Sequence, residues 1–100
     1  MIYITQLVYV VQGKEKVFDE FEDIAIPAIS RYNGKLLFRV RPQIDDFIEL
    51  NMEAPYEIHL VTFDEESDFK NFGRDEERKK FLHLKEESIR SVLLIQGNSI

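Results

Sequence analysis

Residues 2–11, IYITQLVYVV, decide the fold, because apolar and β-branched side chains occupy consecutive positions in this stretch. Residues 56–63 (YEIHLVTF) and 91–96 (SVLLIQ) have the same character. A strand with one face in water alternates apolar and polar side chains, whereas a strand covered on both faces need not alternate. These three segments therefore predict a sheet that is covered on both faces.

The rest of the chain supplies a fourth strand and two helical regions. Residues 14–32 place their apolar side chains on one arc of a helical wheel and Glu15, Asp19, Glu22 and Asp23 on the opposite, solvated side. Pro27 lies inside the pattern, where it should kink or restart the helix. Residues 35–41 alternate as a strand, and residues 67–72 and 76–90 predict a second helical region in two pieces. The order βαββαβ most naturally gives an α+β ferredoxin-like plait, a four-stranded antiparallel sheet with helices on one face.

Two helical regions can cover only one face of such a sheet. The simplest cover for the other face is a second copy of the chain, so we expect a homodimer. Residues 43–55 (QIDDFIELNMEAP) form a long acidic connection with embedded apolar residues. This connection is either a mobile excursion or a lid or arm that clasps the partner.

Composition narrows the function classes. With 100 residues and 44% hydrophobic content, we expect one domain over residues 1–100. A net charge of −6 argues against a nucleic-acid partner. The absence of cysteine excludes a thiolate metal site and a thiol nucleophile. No leader-like segment or membrane-length apolar run occurs, which predicts a cytoplasmic protein without a membrane partner.

Known cofactor and metal motifs are missing from the sequence. The two histidines, His59 and His83, lack metal-ligand spacing, and the four glycines are too scattered for a phosphate-binding loop. We therefore expect no cofactor and no metal. His83 falls away from the apolar side of its helix and should be exposed to solvent.

The chain resembles the small dimeric α/β-barrel proteins. The resemblance rests on the ITQLVYV strand, the segment IAIPAISRYNGKLLFRVRP (24–42), the YEIHLVTF strand and the closing SVLLIQG. It is similar in particular to uncharacterised, domain-of-unknown-function members, distant neighbours of the antibiotic-biosynthesis monooxygenases and the stress-responsive barrel proteins. The resemblance implies a homodimer whose sheets pack face to face, with a pocket between each sheet and its covering elements. The architecture itself hosts unrelated functions.

Polar residues on the strands suggest a binding site. Burying Arg39 and Arg41 under helices without partners would be costly, so we expect them on the dimer-facing side of the sheet. We predict a half-polar pocket on that side, lined by Tyr3, Thr5, Tyr9, Leu37, Arg39, Glu57, His59, Val61 and Phe63. Such a pocket would bind a small, partly apolar molecule, which could be anionic.

Three functions are consistent with these residues. In the leading hypothesis the homodimer binds a small molecule near Arg39 and His59. In the second, a cofactor-independent monooxygenase or isomerase uses His59 as its general base, with Glu57 orienting it or raising its pKa. In the third, Arg39, Glu57 and His59 form a satisfied ionic network at the dimer interface of a structural or interaction protein that binds no ligand.

Overall fold

A computed structural model describes residues 1–100, and its elements follow the predicted order. The strands are β1 (Ile2–Val10), β2 (Gly34–Val40), β3 (Glu57–Phe63) and β4 (Ile89–Gly97). The helices are α1 (Glu15–Ile29), α2 (Glu66–Gly73), α3 (Glu76–Lys80) and α4 (Leu82–Ser88). Short 3-10 turns lie at Ser30–Tyr32 and Ile44–Asp46. The helix predicted over 76–90 is therefore two short helices, separated at Phe81, and the first residues of β4.

The four strands form one antiparallel sheet in the order β2-β3-β1-β4. The helices lie against one face of this sheet, and α1 packs against α4. This arrangement confirms the predicted ferredoxin-like plait. No helix combines the length and the apolar character needed to cross a bilayer.

Helix α1 covers the middle of the sheet with a buried stripe. Its buried residues are Phe18, Phe21, Glu22, Ala25, Ala28 and Ile29. Of the two predicted outcomes at Pro27, a kink or a restart, the restart is wrong, because the helix continues through Pro27 to Ile29. Pro27 lies in the last turn, where a missing N–H removes only one hydrogen bond near the helix end. Asn33 then adopts the left-handed conformation with φ of 58° and leads into β2, as its sequence position indicates.

The core lies between the sheet and α1, and it closes tightly where β2 begins. A Cβ added at Gly34 would lie 2.6 Å from a ring atom of Phe63 and 2.6 Å from Cγ2 of Ile29. Only glycine therefore allows β2 to approach α1 this closely. Ile4 and Phe18 are among the fully buried side chains of this core.

The other sheet face, which we call the open face, carries no helix. Its apolar residues include Phe38, Val40, Leu93 and Ile95, which remain 48%, 44%, 45% and 50% exposed. The chain measures 37 × 36 × 16 Å, so it is a slab of one sheet and one helical layer. Contiguous apolar surface of this kind is typical of a protein–protein interface.

The connection between β2 and β3 is attached to the edge of the open face at one point. The Tyr9 hydroxyl donates a hydrogen bond to the carbonyl oxygen of Glu53 at 2.8 Å, and Arg90 pairs with the Glu53 carboxylate. Ile44, Ile48 and Met52 in this connection project into solvent. The connection thus presents apolar side chains outward although it is anchored to the sheet.

Candidate functional site

The β3 residues predicted for the pocket lie under the helices. They are Glu57, His59, Val61 and Phe63, and all four are buried. The Phe63 ring packs against the rings of Phe69 and Phe72 in α2, with centroids 5.5 and 5.6 Å apart. The expectation that these residues face a partner copy is therefore wrong.

The β1 residues predicted for the same pocket lie on the open face, on the other side of the sheet. Tyr3 pairs with Thr62 and Thr5 pairs with Leu60, and directly paired residues share a face of an antiparallel sheet. Tyr9 has the same orientation, since it lies an even number of residues from Thr5. The register therefore separates Tyr3, Thr5 and Tyr9 from His59. The sequence alone did not reveal this register.

A β-bulge in β2 explains why Arg39 lies on the covered face. Leu36 pairs with Val61 and Phe38 pairs with Leu60, so Leu37 is an extra residue in the strand. An extra residue moves every later side chain to the opposite face. Arg39 consequently pairs with His59 under the helices, while Leu37 is 41% exposed and lines neither cavity of the covered face.

Glu57 is the centre of an ionic network on the covered face. Arg39 Nη2 and Arg41 Nε each donate to Glu57 Oε1 at 2.9 Å. The Glu57 side chain is only 1% exposed, so these two guanidinium groups replace the water that a free carboxylate would bind. The predicted Arg39–Glu57 pair exists, but the expectation that it lies at a dimer interface is wrong.

His59 is buried beside this network without being satisfied by it. Its Nε2 atom has no hydrogen-bond partner and lies 3.6 Å from Glu57 Oε2, beyond hydrogen-bonding distance. Burial lowers the pKa of His59, and the attraction of Glu57 only partly opposes this effect. Neutral imidazole is therefore favoured, with a ring nitrogen free to bind a ligand or accept a proton.

Glu22 completes the cluster, and sequence reasoning missed it by placing it on the solvated face of its helix. The side chain of Glu22 is buried in α1, and burial together with repulsion from Glu57 raises its pKa to about 7. A signal was present in the sequence. Phe18, Glu22, Ala25 and Ile29 follow the i, i+4, i+7, i+11 spacing of one helix face, so Glu22 interrupts an apolar stripe.

Two adjacent cavities open between the sheet and the helices beside this cluster. The inner cavity, about 60 Å³, is lined by His59 and by core residues such as Ile4 and Val61. The outer cavity, about 460 Å³, extends to Lys85 and Leu94. The two cavities share the lining residues Gln6, Phe21, Glu22, Phe69, Phe72 and Arg78. We call the combined space the helix-face cleft.

The buried cluster does not suit a metal ion, although its geometry is compact. Glu22, Glu57 and His59 each place a potential ligand atom within 4.8 Å of the others. However, Arg39 and Arg41 already bind Glu57, and their positive charges would repel a divalent cation. The arrangement is better suited to moving a proton between a neutral imidazole and a protonated carboxyl group.

Solved structures of other proteins share the fold of this chain at low sequence identity. No protein-family profile and no curated protein matches this chain. A protein of unknown function from Rhodopseudomonas palustris, RPA0582, superposes with a TM-score of 0.80 at 13% identity, covering 99% of this chain and 82% of that one. An uncharacterised NIPSNAP domain protein from Burkholderia xenovorans gives a TM-score of 0.72 at 9% identity, with 100% and 95% coverage.

A third similar structure is a dimeric protein of unknown function with a ferredoxin-like fold from Bacteroides fragilis. Its TM-score is 0.70 at 15% identity, covering 98% of this chain and 95% of that one. These likenesses confirm the ferredoxin-like fold and the predicted resemblance to uncharacterised proteins that share it. At such low identity they carry no information on activity.

Proposed function

We propose that this protein is a homodimer that binds a small, largely apolar molecule in the helix-face cleft and transfers a proton on it. In this proposal His59 is the base and Glu22 the acid. This is the isomerase form of the acid–base hypothesis, which needs no cofactor.

The observation that carries the proposal is the unpartnered Nε2 atom of His59 at the inner end of the cleft. A buried polar atom without a protein partner costs free energy, and a ligand or reacting group that bonds to it removes that cost. Glu22 offers a carboxyl oxygen within 4.8 Å of the His59 ring nitrogen. The raised pKa of Glu22 and the lowered pKa of His59 favour an acid and a base that coexist near neutral pH.

The step that these groups support is the enolisation of a carbonyl compound. His59 Nε2 takes the proton from the carbon next to the carbonyl group, and the C–H electron pair becomes the new C=C bond. Glu22 gives its proton to the carbonyl oxygen. In a β,γ-unsaturated carbonyl compound the enol is a dienol, so His59 can return the proton to the γ-carbon while the hydroxyl proton returns to Glu22. The C=C bond thereby moves into conjugation with the carbonyl group, and this isomerisation needs no oxidant or metal.

Dimer formation is supported by the open face. Its exposed apolar residues are distributed over β2 and β4, the two edge strands, so a partner sheet would cover the whole width of the layer. Ile44, Ile48 and Met52 in the connection before β3 are further exposed apolar side chains that a partner would bury. The similar protein from Bacteroides fragilis is itself dimeric.

Solvent-deuterium incorporation tests the chemistry without knowledge of the natural substrate. The protein is incubated in D2O with small aromatic and alicyclic ketones, and exchange at the carbon next to the carbonyl is followed by NMR. We expect the protein to accelerate exchange of some ketones, and His59→Gln and Glu22→Gln to lower the rate by at least about a hundredfold.

The exposed histidine supplies the matched control. His83→Gln changes the same residue type outside the cleft and should leave the rate unchanged. If His59→Gln exchanges as fast as the unmodified protein, or if no ketone exchanges faster than in buffer, the acid–base proposal is wrong. Ligand binding without exchange would then leave the protein as a binding module.

A further inference from the structure

The outer part of the helix-face cleft contains two cations that lack acidic partners. Arg78 of α3 and Lys85 of α4 both line it, and both are partly buried. Neither forms a salt bridge within 4.0 Å, although the chain has 19 acidic residues for 13 basic ones. The other basic residue that is partly buried, Lys14, pairs with Glu87 at 3.2 Å. Arg78 and Lys85 are therefore the partly buried cations of this chain that form no salt bridge.

The Arg78 guanidinium group is held by aromatic rings and not by a carboxylate. Its central carbon lies 5.2 Å from the centroid of the Phe72 ring and 5.9 Å from that of Phe21. Its one hydrogen bond, from Nη1 to the carbonyl oxygen of Gly73, is long at 3.4 Å. A cation over an aromatic face is held by electrostatic attraction to the ring, and this attraction leaves its N–H donors available to a ligand.

Lys85 adds a second positive charge on the same cleft. Burial, followed by repulsion from Arg78, lowers the pKa of Lys85. Two like charges facing one cavity destabilise each other unless an anion lies between them. Glu22 is the carboxyl group on that cavity wall, and its raised pKa favours the neutral form below about pH 7. Internal compensation is therefore incomplete.

Building on the proposed function, we infer that the molecule bound in the helix-face cleft carries a carboxylate group, which Arg78 and Lys85 bind in the outer cavity. The planar guanidinium group donates two parallel hydrogen bonds to a carboxylate, and the lysine supplies a second charge-assisted contact. The apolar body of the molecule then lies along Phe21, Phe69 and Phe72, with its carbonyl group towards His59. The substrate class is a small aromatic or alicyclic keto acid.

Binding measurements with matched probes test this inference. Isothermal titration of the protein compares aryl keto acids with their uncharged primary amides. We expect the acids to bind at least about tenfold more tightly than the amides, because a charge-assisted contact is lost in the amide. Added salt should weaken the binding of the acids alone. Equal affinity for acids and amides would overturn the inference.

Side-chain variants locate the anion site. Arg78→Met and Lys85→Met keep the length and apolar contacts of each side chain and should each weaken acid binding about tenfold, while Lys80→Met, at an exposed position outside the cleft, should have no effect. Arg78→Lys should retain part of the affinity. Unchanged acid binding in both cleft variants would exclude these residues.

Thermal melting distinguishes a ligand role from a structural one. Removing an uncompensated half-buried cation should leave the melting temperature of Arg78→Met equal to or above that of the unmodified protein. If Arg78→Met lowers the melting temperature as well as the affinity for the acids, Arg78 has a structural role and its assignment is overturned. Acid binding without deuterium exchange would refute the acid–base chemistry and leave the carboxylate site. Deuterium exchange of neutral and acidic ketones at equal rates would keep the acid–base chemistry and refute the carboxylate site.

Discussion

The two faces of the sheet differ in a way that is opposite to the usual pattern. The face under the helices contains the buried ionisable residues Glu22, Glu57 and His59. The open face carries apolar side chains such as Phe38 and Leu93, which are about half exposed. Buried charges require specific partners, whereas apolar surface requires only a cover. The covered face is thus suited to chemistry and the open face to assembly.

The largest effect is expected from placing a charge on the open face. Leu93 and Leu94 are adjacent in β4 and are 45% and 44% exposed, but they point to opposite faces. Leu93→Asp would bury an unpaired carboxylate from each copy, at a cost of about 4 kcal/mol, or roughly a thousandfold in the dimer Kd. Light scattering over a dilution series measures this change.

Leu94→Asp is the matched control, because the same substitution occurs one residue away on the other face. We expect it to leave the dimer intact. A monomeric unmodified protein at micromolar concentration, or equal dissociation of the two variants, would contradict assembly through the open face.

The second effect concerns the ionic network of the covered face. Glu57→Gln removes the charge that compensates Arg39 and Arg41, and we expect it to lower the free energy of unfolding by about 3 kcal/mol. Glu20→Gln, at an exposed position of α1, changes charge equally and should have almost no effect. Urea denaturation measures both. If Glu57→Gln lowers the free energy of unfolding only slightly, solvent satisfies the two arginines and the prediction is wrong.

The third effect is a pH dependence of the free energy of unfolding, and Glu22 causes it. Its folded-state pKa of about 7 exceeds the ordinary value of 4.5, so the fold favours the protonated acid. The stabilisation of the fold by protonated Glu22 is complete below about pH 4.5 and is lost as the pH rises through 7. The charged and titratable groups that act on Glu22 or line the same space are Glu57, His59, Arg39, Arg41, Arg78 and Lys85.

Glu22→Gln removes this titration while keeping the size of the side chain. Between pH 5 and pH 8 the unmodified protein should lose about 2 kcal/mol of stability relative to the variant. Denaturation curves at each pH give the difference. Parallel pH profiles for the two proteins would mean that Glu22 titrates as an ordinary exposed carboxyl group.

The smallest effect concerns the support of Arg78 at the cleft. Asp75 accepts a hydrogen bond from the backbone N–H of Arg78 at 2.7 Å and from Arg31 and Tyr32, and these contacts lower its pKa to about 2. Asp75→Ala should cost about 1 kcal/mol near pH 7, as expected for the loss of a helix N-cap. The effect should disappear as the pH falls from the ordinary value of 3.8 towards 2.

Asp23→Ala is the corresponding control, because Asp23 is an exposed aspartate in α1. Thermal denaturation at neutral and acidic pH compares the two variants. An Asp75→Ala loss that persists unchanged at low pH would point to packing and not to the charged cap.

The fold was predictable because strand character, helix periodicity and turn residues are local properties of the chain. Asn33 and Gly34 mark the start of β2 by conformational preference, and the consecutive apolar residues of β1 indicate coverage on both faces. The candidate site was predicted less well. His59 and Glu57 were named correctly as neighbours, but Glu22 was assigned to solvent although it lies in the buried stripe of α1.

What the sequence determined by itself was the order of elements, the plait and the presence of a polar group among apolar strand residues. These follow from periodicity and composition, which act over a few neighbouring residues. The tertiary structure decided which face each residue occupies. The extra residue Leu37 moves Arg39 to the covered face, and the β1–β3 register separates Tyr3 from His59. Such choices depend on pairing between distant segments, where a shift of one residue exchanges the two faces of a strand.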